Sequence, residues 1–166
     1  MQHHPSLDLT RVKAFIFDVD GVLTDGSLLA LASGEQVRSF HIKDGFAIRH
    51  AIQKGYRVAI ISARQEEGVR KRLLSLDVED IYLGVSNKLE AFGQFLTKYS
   101  LQPADIAYMG DDIPDLAVMQ QCGVAACPED AAPDVMWVAN YISGKPGGKG
   151  AVRELIEAVL KMQGTW

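Results

Sequence analysis

At 166 residues, 48% apolar and 23% charged, the chain has the length and composition of one globular domain with a sizeable core of its own. A net charge of −4 without any basic run argues against a nucleic-acid or anionic membrane partner. No stretch reaches the roughly 18 apolar residues of a membrane span, and Met1-Gln2-His3-His4-Pro5 lacks the basic segment and apolar core of a signal peptide, so a cytoplasmic protein is expected.

In chain order, Ala14-Phe15-Ile16-Phe17 reads as a buried parallel strand, short and apolar on both faces. It stops at Asp18-Val19-Asp20-Gly21, where Gly21 permits a sharp turn. Ser27–Ala32 and Glu35–Phe40 flank Ser33-Gly34, which predicts a β-hairpin over about 27–41. Its first arm carries Leu28, Leu29 and Leu31, a candidate partner surface. Lys43-Asp44-Gly45 opens an amphipathic helix with Phe46, Ile48, Ala51 and Ile52, ended near Gly55. Tyr56–Ser62 is the second buried strand, and a helix with Val69, Leu73 and Leu74 precedes a short strand at Ile81–Leu83. Asn87 caps a helix carrying Leu89, Phe92, Phe95 and Leu96.

Ile106–Met109 is the next strand and runs into Gly110-Asp111-Asp112-Ile113-Pro114-Asp115. A helix with Leu116, Val118 and Met119 follows, then a strand at Gly123–Ala126, a helix near Pro133–Met136 and an edge strand at Val138–Tyr141. The Gly144–Gly150 loop leads into a last helix with Val152, Leu155, Ile156, Val159 and Leu160 on its apolar side. Cys122 and Cys127 read as reduced core thiols. Alternating strands and helices mean βαβ units with right-handed crossovers. The expectation is one domain over 1–166, a three-layer, doubly wound, Rossmann-like parallel sheet with a hairpin insertion and no cap domain.

Three predicted strands end in polar groups: Asp18 with Asp20, Ser62, and Asp111 with Asp112. In a parallel sheet those ends share one edge, where open α/β folds bind ligands. Lys88, at a helix start, reaches the same place. Close carboxylates repel unless a cation or a shared proton relieves them, and hard oxygen ligands suit Mg²⁺ with waters and a substrate phosphate. Taken singly, Asp25-Gly26 is a plain turn, Ser62 a strand terminus, Lys88 a surface lysine and Asp115 a first-turn acid complementing a helix dipole. Their joint order gives the site. His3, His4, His41 and His50 form neither a Ser/His/Asp nor a zinc spacing.

Asp-x-Asp-Gly-Val-Leu-Thr-Asp, then Ser62, Lys88 and Gly110-Asp111-Asp112-x-x-Asp115, resemble the four ordered motifs of the haloacid-dehalogenase-like phosphatases, over most of the chain from Phe15 to about Ala126. The resemblance implies Asp18 as nucleophile and Asp20 as general acid and base. It implies Mg²⁺ held by Asp18, the Asp20 carbonyl and Asp111. Ser62 and Lys88 would hold the phosphoryl group, with Asp112 and Asp115 orienting metal waters or Lys88.

Within that family the chain is most similar to capless members acting on acidic keto-sugar phosphates, specifically 8-phosphates of eight-carbon sugar acids used in lipopolysaccharide synthesis. The further matching residues are Phe40–Gly45, Arg64, Asn87-Lys88 and Gly147–Glu154. The resemblance implies Arg64 as reader of the sugar carboxylate through its planar fork, Lys43 and Asp44 as substrate contacts, and a homotetramer joined through the hairpins. It also makes the Gly147–Gly150 loop a candidate contact to a neighbouring site. The chain departs from the pattern at Ser62-Ala63-Arg64, where Thr-Gly-Arg is usual, and at Phe46-Ala47, where an aromatic-Gly pair is usual. A phosphatase for nine-carbon sugar-acid 9-phosphates is the enzymatic alternative; a non-catalytic metal-binding assembly module is the alternative of another class.

Overall fold

The structure is a computed structural model that describes residues 7–166; the stretch Met1–Pro5, read above as lacking a signal peptide, lies outside the described residues. Alternation along short apolar runs builds the sheet. Strand β1 (Ala14–Phe17) lies between β4 (Arg57–Ser62) and β6 (Ile106–Met109), parallel to both. Strands β5 (Asp80–Leu83), β7 (Val124–Cys127) and β8 (Tyr141–Ile142) complete the order β5-β4-β1-β6-β7-β8, every pair parallel.

Successive side chains point to opposite faces, so Phe15, Phe17, Val58, Ile60, Ala107 and Met109 join one apolar layer. Ala14, Ile16, Ala59, Ile61, Ile106 and Tyr108 join the other. The first layer is closed by α1 (Ile42–Gln53), α2 (Glu67–Leu74) and α6 (Ala151–Met162). The second is closed by α3 (Lys88–Tyr99), α4 (Leu116–Met119) and α5 (Pro133–Val138). In α6, Val152, Leu155, Ile156, Val159 and Leu160 are all fully buried, each stabilising the layer by about 1.5–3 kcal/mol. The chain winds from β1 out to β5, then crosses back to β6. The reversal beside β1 opens a crevice at the carboxyl ends of β1, β4 and β6.

The hairpin forms with shorter arms than the sequence suggests. Only β2 (Leu29–Ala30) and β3 (Gln36–Val37) pair, Leu29 with Val37 and Ala30 with Gln36, and both stay exposed. Between β1 and β4 the chain holds this hairpin and α1 and no cap-sized insertion. Phe46 and Leu74, assigned above to apolar helix faces, are exposed, because Ala47, Ile48 and Ala51 in α1 and Val69 and Leu73 in α2 fill the layer. The last strand starts at Tyr141 rather than Val138. Helix α5, begun by Pro133 at its first position, takes in Val138, and Asn140 bridges to β7 through Ala125 N and Gly123 O.

Candidate active site

Asp18 follows the last residue of β1. Its Oδ1 accepts from Val19 N at 2.6 Å, which fixes the carboxylate over the turn that follows. That turn spans Val19–Leu23 and closes when Thr24 N donates to Val19 O at 3.1 Å. Gly21 has φ +79°, and a Cβ there would stand 1.9 Å from Asp111 Oδ2. Glycine at this position therefore allows both the left-handed backbone and the approach of the β6 carboxylate.

Lys88 starts α3, whose N-cap Asn87 accepts from Leu89 N at 3.1 Å. Its ammonium donates to Asp18 Oδ2 at 2.6 Å and to Asp115 Oδ1 at 2.7 Å. Asp115 is wholly buried. Its Oδ1 also accepts from the Tyr108 hydroxyl, and its Oδ2 from the backbone N–H groups of Asp111 and Asp112 at 3.1 and 3.3 Å. A carboxylate offers about four lone-pair positions, and all four are occupied. Gly110 makes room for this arrangement, since a Cβ there would meet Asp115 at 2.4 Å.

Ligand oxygens of Asp18, Asp111 and Asp115 lie within 4.8 Å of one another, close enough to hold a metal ion. With Asp115 saturated, Asp18 and Asp111 are the open pair. Burial, then repulsion from Asp115, raises Asp18 to about 6, against the pull of Lys88. Burial, then repulsion from Asp18 and Asp115, raises Asp111 to about 7. Burial works against the charge on Lys88, but Asp18 and Asp115 outweigh it and hold the lysine above its ordinary value. The single ammonium thus leaves negative charge uncompensated, and a divalent cation between Asp18 and Asp111 fits that deficit.

A cleft of about 330 Å³ brings together Asp18, Asp20, Ser62, Arg64, Lys88 and Asp111, with Asp112 on its wall. Ser62 ends β4 and its Oγ accepts from Arg64 N at 3.3 Å. The Arg64 side chain reaches out half-exposed, with Nε 3.6 Å from Asp20 Oδ2. Asp112 caps the turn that precedes Asp115, accepting from Ile113 N at 2.8 Å.

Asp44 and Lys43 are placed differently from the expectation above. Asp44 is 1% exposed and accepts from Arg153 N at 2.8 Å and Gly150 N at 3.3 Å. It caps α6 rather than facing the cleft. Lys43 lines a separate basic groove of about 580 Å³ with Lys145, Lys149 and Arg153. The Gly147–Gly150 loop packs within its own chain. Gly148 N donates to Val22 O at 2.9 Å, and a Cβ on Gly147 would stand 1.9 Å from Gly21 O. This loop braces the turn after Asp18.

Arg38 is absent from the sequence-derived site. It directly follows β3, whose two residues are both exposed, yet its own side chain is 1% exposed. Its Nε donates to Asp20 Oδ1 at 2.6 Å and its Nη2 to Asp20 Oδ2 at 3.1 Å. The only signal in the sequence is a charged residue alternating with an apolar one on a hairpin arm, which surface hairpins share.

A parallel Rossmann-like sheet with this aspartate pair, strand-end serine, bridging lysine and second acidic turn is the architecture of the haloacid dehalogenase superfamily of hydrolases; the similar solved structures include one such hydrolase from Legionella pneumophila, TM-score 0.92 at 36% identity over 94% of this chain and 86% of its own. The 3-deoxy-D-manno-octulosonate 8-phosphate phosphatase of Salmonella typhi is 38% identical over 161 residues, 97% of this chain and 86% of its own length. That of Escherichia coli K12 is 39% identical over 154 residues, 93% and 82% of the two chains. The chain belongs to the 3-deoxy-D-manno-octulosonate 8-phosphate phosphatase family. The Moraxella catarrhalis member, solved with magnesium ion, phosphate ion and KDO, superposes with TM-score 0.91 at 33% identity, over 94% of this chain and 90% of that one. No family model matches the chain. No helix among the described residues is long and apolar enough to cross a membrane.

Proposed function

We propose that this chain is a Mg²⁺-dependent phosphomonoesterase that hydrolyses an acidic keto-sugar phosphate, 3-deoxy-D-manno-octulosonate 8-phosphate, through an aspartyl-phosphate. The observation that carries the reading is the Lys88 ammonium held between Asp18 and Asp115 with Asp111 alongside. The names of the relatives and the ligands of the Moraxella structure support the substrate.

Asp18 attacks phosphorus, and the bond from phosphorus to the sugar oxygen breaks with its electron pair staying on that oxygen. Asp20 gives that oxygen a proton, so the sugar leaves as an alcohol. Asp20 then takes a proton from a water that attacks the aspartyl-phosphate; inorganic phosphate leaves and Asp18 is restored. Ser62 and Lys88 donate to phosphoryl oxygens as charge develops. Asp115 keeps Lys88 charged and aimed at Asp18. Asp18, the Asp20 carbonyl and Asp111 would hold the metal, which would supply positive charge to the phosphoryl oxygens. Arg64, exposed at the rim, meets the sugar carboxylate.

The reading extends to assembly. Leu28, Leu29, Leu31 and Val37 leave an apolar face on a projecting hairpin, which we assign to hairpin packing in a homotetramer. Light scattering of Leu29→Asp with Val37→Asp is expected to show smaller species than the parent; an unchanged mass places the interface elsewhere.

Phosphate release from a panel of esters, with Mg²⁺ and then with chelator and with Asp18→Asn as control, tests the chemistry. Metal-dependent preference for the octulosonate 8-phosphate over neutral hexose phosphates is the expected result. Preference for a nine-carbon acid keeps the mechanism and moves the substrate. Absence of release from every ester overturns the phosphatase reading in favour of a metal-binding assembly module.

A further inference from the structure

The Asp20 carboxylate is gripped from the hairpin. Both its oxygens sit in the fork of Arg38, at 2.6 and 3.1 Å, with Arg64 Nε 3.6 Å from Oδ2. The Arg38 side chain is almost wholly covered, and water competes little for it. A bidentate guanidinium–carboxylate pair in such a place is strong and directional. Beyond the fork, Arg38 Nη1 stands 3.3 Å from Glu66 Oε1. Arg38 Nη1 and Glu66 Oε2 are buried with no hydrogen-bond partner among the described residues. One guanidinium therefore faces two carboxylates, and the second has acceptor capacity in reserve.

This arrangement bears on the proton transfers assigned to Asp20, and the inference rests on that assignment. A carboxyl oxygen carrying a proton donates rather than accepts, so it cannot hold the Arg38 N–H while delivering its proton to a leaving oxygen. One arm of the fork has to open for the transfer. Glu66 faces Nη1, the amino group that the fork does not use, so the guanidinium keeps a carboxylate beside it when an arm opens, and no buried cation is left alone.

We propose that Arg38 is a positioning residue for Asp20: it holds the carboxylate at the rim of the cleft and yields it to the sugar oxygen, with Glu66 keeping the guanidinium as Asp20 moves. The site's proton carrier is then aimed by a residue two strands away, on the same hairpin that carries the exposed leucines. A shift of the hairpin by about 1 Å moves Asp20 with it, a displacement that costs catalysis on the order of 10²-fold.

The test compares two leaving groups on the full chain with Mg²⁺. A sugar 8-phosphate leaves as an alkoxide and needs a proton, whereas p-nitrophenyl phosphate leaves as a stabilised phenolate and does not. Arg38→Ala is expected to slow single-turnover release of the leaving group from the sugar ester by about 10-fold or more relative to the aryl ester, since the later water attack, with Asp20 as base, is common to both. Arg38→Lys, which keeps the charge but not the fork, is expected to recover part of the loss. Asp20→Asn must show the same leaving-group signature. If it does and both Arg38 variants slow leaving-group release equally on both esters, or not at all, the inference is overturned while the phosphatase reading stands. If Arg38→Ala alters the assembled mass, the Arg38→Lys ratio decides, and a ratio equal to the parent's overturns the inference. Failure of the parent chain to cleave either ester sinks the phosphatase reading itself.

Discussion

Lys88 Nζ lies 2.6 Å from Asp18 Oδ2, so the predicted nucleophile and the first residue of α3 form one buried ion pair at the foot of the cleft. Asp18→Asn removes the attacking charge and keeps the shape. It is expected to reduce kcat by about 10⁴-fold or more while leaving the thermal transition in place. Single-turnover phosphate release reads the first, calorimetry the second.

Asp115 holds the same lysine from the other side. Asp115→Ala leaves Lys88, the Tyr108 hydroxyl and two backbone N–H groups without their acceptor. Breaking a buried pair in this way is expected to cost about 3–5 kcal/mol, measured by urea unfolding. Tyr108→Phe removes one donor to Asp115 and is expected to cost about 1 kcal/mol. A destabilisation by Asp115→Ala no larger than that of Tyr108→Phe would show that the pair with Asp18 alone satisfies Lys88.

With Asp18 raised to about 6 and Asp111 to about 7, the metal-free folded chain binds more protons than the unfolded chain between about pH 4 and 7. Through these groups its stability falls as pH rises through that window. Metal binding needs the ionised carboxylates, so it weakens as pH falls below about 7. Excess Mg²⁺ is therefore expected to raise Tm more at about pH 8 than at about pH 5. Equal shifts at both pH values would place the metal away from these two residues.

Gly147 has no room for a side chain, with Gly21 O only 1.9 Å from where a Cβ would be. Gly147→Ala has to push the Gly21 turn, and with it Asp111. The expected result is weaker Mg²⁺ binding by isothermal titration, together with about 1–3 kcal/mol of destabilisation from overpacking. Unchanged affinity would mean that the turn yields without disturbing the carboxylates.

Asp44 separates a structural from a substrate role. As the acceptor for Gly150 N and Arg153 N it caps α6, so Asp44→Ala is expected to cost about 1–2 kcal/mol of stability with KM for the sugar phosphate unchanged. A raised KM without loss of stability would restore the substrate contact.

The sheet was legible because its strands are short apolar runs cut off by polar residues. The same cut-offs placed Asp18, Ser62 and Asp111 on one edge. Asp44 was assigned to the substrate because the Lys-Asp-Gly motif belongs to the resemblance, while its partners Gly150 and Arg153 lie more than 100 residues on, beyond any local pattern. Arg38 escaped for a related reason. It lies just past a strand whose residues are both exposed, and only the tertiary placement of the hairpin says that Asp20 is what it meets. Phe46 counted as core by spacing, yet smaller neighbours fill α1's inner face, leaving the aromatic ring to stack on His50.

The brace from Gly147 and Gly148 onto the turn after Asp18, together with the α6 cap on Asp44, sets an order of events in the life of the chain. Asp18 leaves the ribosome some 130 residues ahead of the loop that steadies its turn. At about 5–20 residues per second, Asp18 spends many seconds in a nascent chain whose following turn lacks its support. Translation products ending before Gly147 carry the aspartate motif, the lysine and the second acidic turn, yet lack the brace. Competence for the proposed catalysis thus arrives with the segment that carries Gly147 and Gly148, long after Asp18, Lys88 and Asp111 themselves have been made.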